Sequence, residues 1–84
     1  MATFRVGSSV IMEVRERTID ITTGLVFRQT RTLFLSDIVS VTLSGRPRRM
    51  LELHLADGSG TRYRFGSARE AERARAAIGE SLPG

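Results

Sequence analysis

Five arginines are the residues whose type and spacing could do chemistry. Arg46, Arg48 and Arg49 lie within "SGRPRRML", and Arg62 and Arg64 follow in "TRYRF". A guanidinium is a planar fork of donors that fits the oxygens of a phosphate or carboxylate. Three forks in one turn can reach an anion, and two more project from the strand that follows. These five form the expected anion- or partner-binding set. The competing reading is a solvated turn, because charge on a small domain is usually surface chemistry.

The charge distribution makes the cluster more than a local accident. All 13 basic residues are arginine, and the formal net charge is +4. Residues 1–44 hold five arginines against four acids, and residues 45–64 hold five against two. Residues 65–84 balance at three against three. The excess therefore gathers where the cluster begins. Such an excess favours anionic partners: a membrane surface or a nucleic acid. Nucleic-acid surfaces usually add exposed aromatics for stacking. Here Phe4, Phe27, Tyr63 and Phe65 sit at core parity and Phe34 alone falls on the other face, which lowers that reading.

The remaining polar residues do not assemble into a catalytic set. His54 is the only histidine. A general base needs a nucleophile or orienting group in reach, and a metal needs several ligands. Among Glu13, Glu16, Asp20, Asp37 and Asp57 no acid/base pair stands out. Asp57 precedes Gly58 and suits a turn, and Asp37 suits a local backbone bond. "DGSG" lacks the strand–loop–helix setting of a phosphate loop. With no cysteine, disulfides, thiolate metal sites and cysteine nucleophiles are excluded. The expectation is no enzyme, no cofactor and no metal.

The elements that must position the arginines follow from periodicity. With 84 residues the chain has room for one modest core, expected as a single domain over 1–84. Its longest apolar runs are three residues, too short to cross a membrane, and "MATFRVGSSV" has no apolar signal core. A cytoplasmic location is expected. Apolar residues alternate at period two: Val10, Met12, Val14; Ile19, Ile21; Leu25, Phe27; Leu33, Leu35; Val39, Val41, Leu43; Leu51, Leu53, Leu55; Tyr63, Phe65. Such alternation marks half-buried antiparallel strands, expected over about 3–66. Breakers separate them at "TTG" 22–24, "RQTR" 28–31, "SGRP" 44–47 and "DGSG" 57–60. Ile38 is off the parity of Val39 and Val41, which predicts a bulge or bend near "LSDIVSV".

The hairpin over 51–65 can be registered from its pattern. Pairs Leu51–Phe65, Leu53–Tyr63 and Leu55–Thr61 put the apolar residues on one face. They set Glu52 opposite Arg64 and His54 opposite Arg62. An odd loop of three or five residues follows, with Gly58 and Gly60 at its positive-φ positions. Then the period changes. "SAREAERARAAIGESL" places Ala71, Ala74, Ile78 and Leu82 on one stripe of a helix over about 67–81. Ser67 and Glu70 form a capping box, Glu72 and Arg75 pair on its surface, Gly79 frays or ends it, and Pro83 stops it.

The whole pattern, "RTIDITTGLVFRQTRTLFLSDIVSVTLSG", then "RRMLELHLADGSGTRYRF", then the helix, resembles the small bacterial pleckstrin-homology-like domains. "LFLSDIVSV" at 33–41 carries most of the likeness, which covers roughly residues 10–82. It implies a mainly β fold: a small PH-like barrel of two orthogonal antiparallel sheets capped by one C-terminal α-helix. It also implies a non-catalytic interaction or scaffold module. The basic phosphoinositide motif of lipid-binding members has no residue-by-residue counterpart here; Arg15 and Arg17 only flank the first turn. The leading expectation is a protein or peptide partner, with strand addition and self-association as routes. Anionic lipid headgroups are the alternative and nucleic acid the second alternative, both through Arg46, Arg48, Arg49, Arg62 and Arg64.

Overall fold

The computed structural model describes residues 2–82. Seven strands precede one helix: β1 (Ala2–Gly7), β2 (Val10–Val14), β3 (Thr18–Thr23), β4 (Gln29–Phe34), β5 (Ile38–Ser44), β6 (Met50–Leu55), β7 (Gly60–Arg64) and α1 (Ala68–Ser81). They form two antiparallel sheets, β1-β2-β3-β4 and β5-β6-β7. No strand ladder joins β4 to β5, so the barrel expected from the sequence is not closed by hydrogen bonds along that seam. Near the other side the Gly66 N–H donates to the Val6 carbonyl at 3.0 Å, tying the end of the second sheet to β1.

Most inward residues are those the alternation selects; Leu25, Phe27 and Val39 are selected but exposed, and Ile38 is buried in place of Val39. Phe4, Met12, Val14, Ile19, Ile21 and Leu33 come from the first sheet, Leu51 and Leu53 from the second. Ala71, Ala74 and Ile78 close the core from the helix, and all three are fully buried. Alanines at the contact let α1 lie close to the strands, where a larger side chain would hold it off. The Ser67 hydroxyl accepts from the Glu70 N–H at 3.2 Å, half of the expected box. The Glu70 carboxylate instead takes Arg73 at 3.1 Å, so the surface pair forms two residues before the expected Glu72–Arg75. Arg73 also stands over the Phe4 ring, 5.9 Å from its centre. Gly79 lies inside the helix and does not end it; Pro83 falls outside the described residues.

The bend at "LSDIVSV" forms as the off-parity Ile38 requires. A 3₁₀ turn spans Leu35–Asp37, and the β5–β6 register shifts between Ile38 and Ser40. The shift turns Ile38 inward and leaves Val39 67 % exposed.

Two expectations are corrected. Leu25, Val26 and Phe27 are not a strand. They form the β3–β4 loop and are 75 %, 84 % and 88 % exposed. Thr22 and Thr23 stay in β3, and β4 starts at Gln29, so of the two breakers here only Gly24 and Arg28 fall in the loop. The chain turns at Gly24, whose φ of +103° suits glycine alone. Period-two spacing over two residues could not distinguish a loop from a strand.

The β6–β7 hairpin keeps its faces but slides by two residues. Leu51 faces Tyr63, Leu53 faces Thr61, Glu52 faces Arg62 and His54 faces Gly60. A shift of two preserves which side chains point inward, so hydrophobicity could not separate the two registers. Turn geometry decides. The Leu55 N–H donates to the Ser59 carbonyl at 2.9 Å and the Gly58 N–H to the Leu55 carbonyl at 3.0 Å. That closes a loop of residues 56–58 with Gly58 at φ +89° in its last position, the usual three-residue form. Gly60 has no positive φ and belongs to β7. Phe65 thereby passes the end of the ladder and drops into the core, 1 % exposed.

Asp57 fixes this turn by accepting from both the N–H and the hydroxyl of Ser59. These bonds hold its carboxyl below the ordinary aspartate range. A carboxyl depressed in the fold stabilises it above the unfolded-state pKa and loses that contribution as pH falls through the folded-state value. Asp57→Asn is therefore expected to shrink the difference in melting temperature between neutral pH and about pH 3. An unchanged difference would contradict this role.

Candidate functional site

The five arginines named from sequence do not share one concavity. Arg46 and Arg48 lie in the exposed β5–β6 turn, which the Arg49 N–H closes onto the Pro47 carbonyl at 2.9 Å. The Arg46–Pro47 peptide is cis. Arg49 is half-buried, and its carbonyl accepts from the Phe65 N–H at 2.7 Å. Arg48 faces the helix, lining a groove with Thr42, Leu43, Glu72 and Arg75. Arg62 and Arg64 project from the outer face of the second sheet, opposite Glu52 and Met50. Arg62 Nε is 3.4 Å from Glu52, which also accepts from Ser44. His54 Nε2 lies 3.8 Å from Glu52 and 3.4 Å from the Thr42 hydroxyl, on an exposed strand. Among the described residues no group of three or more His, Cys, Asp or Glu could hold a metal ion.

The surface that the sequence reading placed least well is the open edge of the first sheet. β4 pairs on one side only, with β3. The direction of its free backbone groups follows from one bond: the Leu35 N–H donates to the Arg17 carbonyl at 2.9 Å. In an antiparallel ladder, hydrogen-bonded and non-bonded pairs alternate. Continuing the observed register, Leu33, Arg31 and Gln29 bond to β3. The N–H and C=O groups of Thr30, Thr32 and Phe34 then point away from the sheet.

Side chains along this edge add chemistry. The Thr30 hydroxyl meets Thr22 at 3.2 Å and the Thr32 hydroxyl donates to Asp20 at 2.9 Å. Asp20 is further held by Arg15, Nε to Oδ2 at 2.8 Å, so this face is ordered. Arg31 is at core parity, opposite Ile21, yet exposed because the second sheet does not reach the edge. Phe34 is 57 % exposed and lines a mostly apolar groove with Glu16, Arg17, Thr18, Leu35, Ser36 and Ser81.

The order of these parts can be matched to known families. A family model described as "Bacterial PH domain" matches residues 3–82. The chain belongs to the bacterial PH domain family. Comparison with curated proteins and with solved structures gave no match. The bacterial PH domain assignment accounts for the two antiparallel sheets and the single terminal helix. PH-like domains are typically binding or scaffold modules, without catalysis of their own. No helix among the described residues is long and apolar enough to cross a membrane.

Correcting Phe27 also changes the aromatic account. Two phenylalanines, Phe27 and Phe34, are exposed, not one. Phe34 ends β4 and Phe27 precedes it in the β3–β4 loop, so they belong to the edge of the first sheet and not to the arginine cluster.

Proposed function

We propose that this bacterial PH domain is a non-catalytic interaction module that captures an extended protein segment as an added strand on β4. The observation that carries the reading is the row of outward backbone groups at Thr30, Thr32 and Phe34. Each unpaired group on a sheet edge is a ready donor or acceptor, and a peptide laid alongside satisfies them in order. Arg31, beside that row, selects for a carboxylate on the incoming strand. Phe34 and the apolar groove next to it offer a pocket for an apolar side chain.

An inward-parity arginine also guards the edge against indiscriminate pairing. That makes the site selective for acidic segments and disfavours stacking of two identical, basic edges. Self-association through β4 would bring Arg31 residues of two copies together, at a cost in like-charge repulsion. The module is cytoplasmic in this reading, and its partner is a protein.

The test uses a displayed library of random peptides selected on the immobilised domain. Selected peptides are expected to be extended and enriched in Asp and Glu. Thr32→Pro deletes one outward donor while leaving the β3–β4 ladder bonds in place. It should weaken a selected peptide by about tenfold or more, the order of one lost hydrogen bond plus the steric block of the ring. Thr32→Val keeps that donor and should retain most of the affinity. Equal binding by the wild type and Thr32→Pro would rule out strand addition at β4.

A further inference from the structure

The two ends of β4 present different chemistry. At its start stand Arg28, just before the strand, and Arg31 within it. Both are exposed, and neither has a hydrogen-bond or ion-pair partner among the described residues. The one carboxylate of β3, Asp20, faces Thr32 on the other side of the sheet from Arg31 and is held by Arg15 and Thr32. At the far end Phe34 and Leu35 line the mostly apolar groove, where Glu16 and Arg17 offset one another in charge. The edge is therefore basic where β4 starts and apolar, with no net charge, where it ends. A strand laid along it must be acidic at one end and apolar at the other.

Ladder geometry turns this polarity into a sequence. The outward groups belong to Thr30, Thr32 and Phe34, so on an added antiparallel strand those three face hydrogen-bonded partners. Arg31 and Leu33 then face non-bonded partners, where opposing side chains come closest, at about 4.5 Å between Cα atoms. Leu33 is buried and Arg31 exposed on the same face, so the first takes an apolar neighbour and the second a carboxylate. Phe34, on the other face, takes a second apolar neighbour against its ring. An antiparallel strand runs from the Phe34 end to the Thr30 end. Its residues meet Phe34, Leu33, Thr32 and Arg31 in that order.

We infer that β4 reads a polarised segment: two large apolar residues, one residue of any type, then Asp or Glu, running antiparallel to β4. The inference rests on strand addition at β4 and adds the direction and spacing of the partner. Parallel ladders have slanted bonds and are slightly less stable per residue. Every neighbouring ladder in both sheets is antiparallel. A parallel strand would need the same residues in reverse, acid first. Further acids after the motif run on toward Arg28, whose attraction salt weakens.

Two capped peptides of identical composition test this, one with Leu-Phe-Thr-Glu at its centre and one with the reverse, Glu-Thr-Phe-Leu. Both are flanked by Ser and Thr. The forward peptide should bind the domain about fivefold or more tighter, the combined order of three cross-strand pairs. Replacing its Glu by Lys should weaken it. Arg31→Glu should reverse that preference and leave the melting temperature close to wild type, because Arg31 is exposed. Phe34→Ser should erase the advantage of Leu over Ser at the first position. Thr32→Pro reports on strand addition by itself and should weaken the forward peptide. Equal affinity for the two peptides, or a tighter reverse peptide, still lost in Thr32→Pro, would overturn the polarity and leave strand addition standing. So would failure of both peptides where library-selected ones bind. Forward binding that Thr32→Pro leaves untouched would overturn both readings.

Discussion

Phe65→Ala is expected to cost about 3–5 kcal/mol of stability, read as a lower urea midpoint with an unchanged slope. Phe65 is among the largest fully buried side chains, at 1 % exposure. It stands just past the end of β7, in the one core cluster shared by both sheets and α1. Its deletion would leave a cavity in a cluster to which both sheets and the helix contribute. A domain of this size has roughly 4–12 kcal/mol in total, so the variant should lie near the edge of folding. It has no disulfide to compensate. Phe65→Leu, which keeps most of the volume, should cost less than half as much. A loss below about 1 kcal/mol for the alanine variant would mean that Phe65 does not join the sheets to the helix.

The second large effect is expected at Gly24. Its φ of +103° is one that residues with a Cβ rarely adopt, and an added Cβ would meet the Phe27 carbonyl. Gly24→Ala must therefore pay both backbone strain and a rearranged loop, about 1–3 kcal/mol or more. Gly58 separates the two causes. It has a comparable φ of +89°, but an added Cβ there meets nothing within 4 Å. Gly58→Ala should show the strain alone and lose about 1 kcal/mol. If both variants lost the same stability, the packing of the β3–β4 loop over Gly24 would be wrong.

How far the sequence anticipates this molecule depends on which degree of freedom is asked about. Faces were legible: Met12, Val14, Ile19, Ile21, Leu33, Leu51 and Leu53 all point inward, as their period requires. The helix was legible from Ser67 through Ile78 because alanines at a 3.6-residue spacing fit no strand. The bulge was legible from Ile38, one residue out of step. Register was not, because Leu51 can face Tyr63 or Phe65 without any side chain changing sides. The deciding bonds, from Leu55 and Gly58, belong to the backbone of a turn. The loop at Leu25–Phe27 escapes the pattern for a related reason: two apolar residues at spacing two carry too little periodicity to outweigh a glycine turn.

The candidate site was less legible than the fold. Arginines are visible in a sequence, so Arg46, Arg48, Arg49, Arg62 and Arg64 drew attention. Their directions are not visible: Arg48 turns to the helix, while Arg62 lies on the outer sheet beside Glu52. A sheet edge is the opposite case. The outward groups of Thr30, Thr32 and Phe34 are backbone atoms that every residue possesses. Only topology makes them available, and topology comes from the seam between β4 and β5 staying open.

Amide hydrogen exchange, with and without a selected peptide, reads strand addition at β4 residue by residue. In the domain alone the amides of Thr30, Thr32 and Phe34 should exchange fast, while those of Gln29, Arg31 and Leu33 are protected by β3. Adding the peptide should slow the first three and leave the second three almost unchanged. Peptide binding that protects none of Thr30, Thr32 and Phe34, or protection already present in the domain alone, would contradict strand addition at β4.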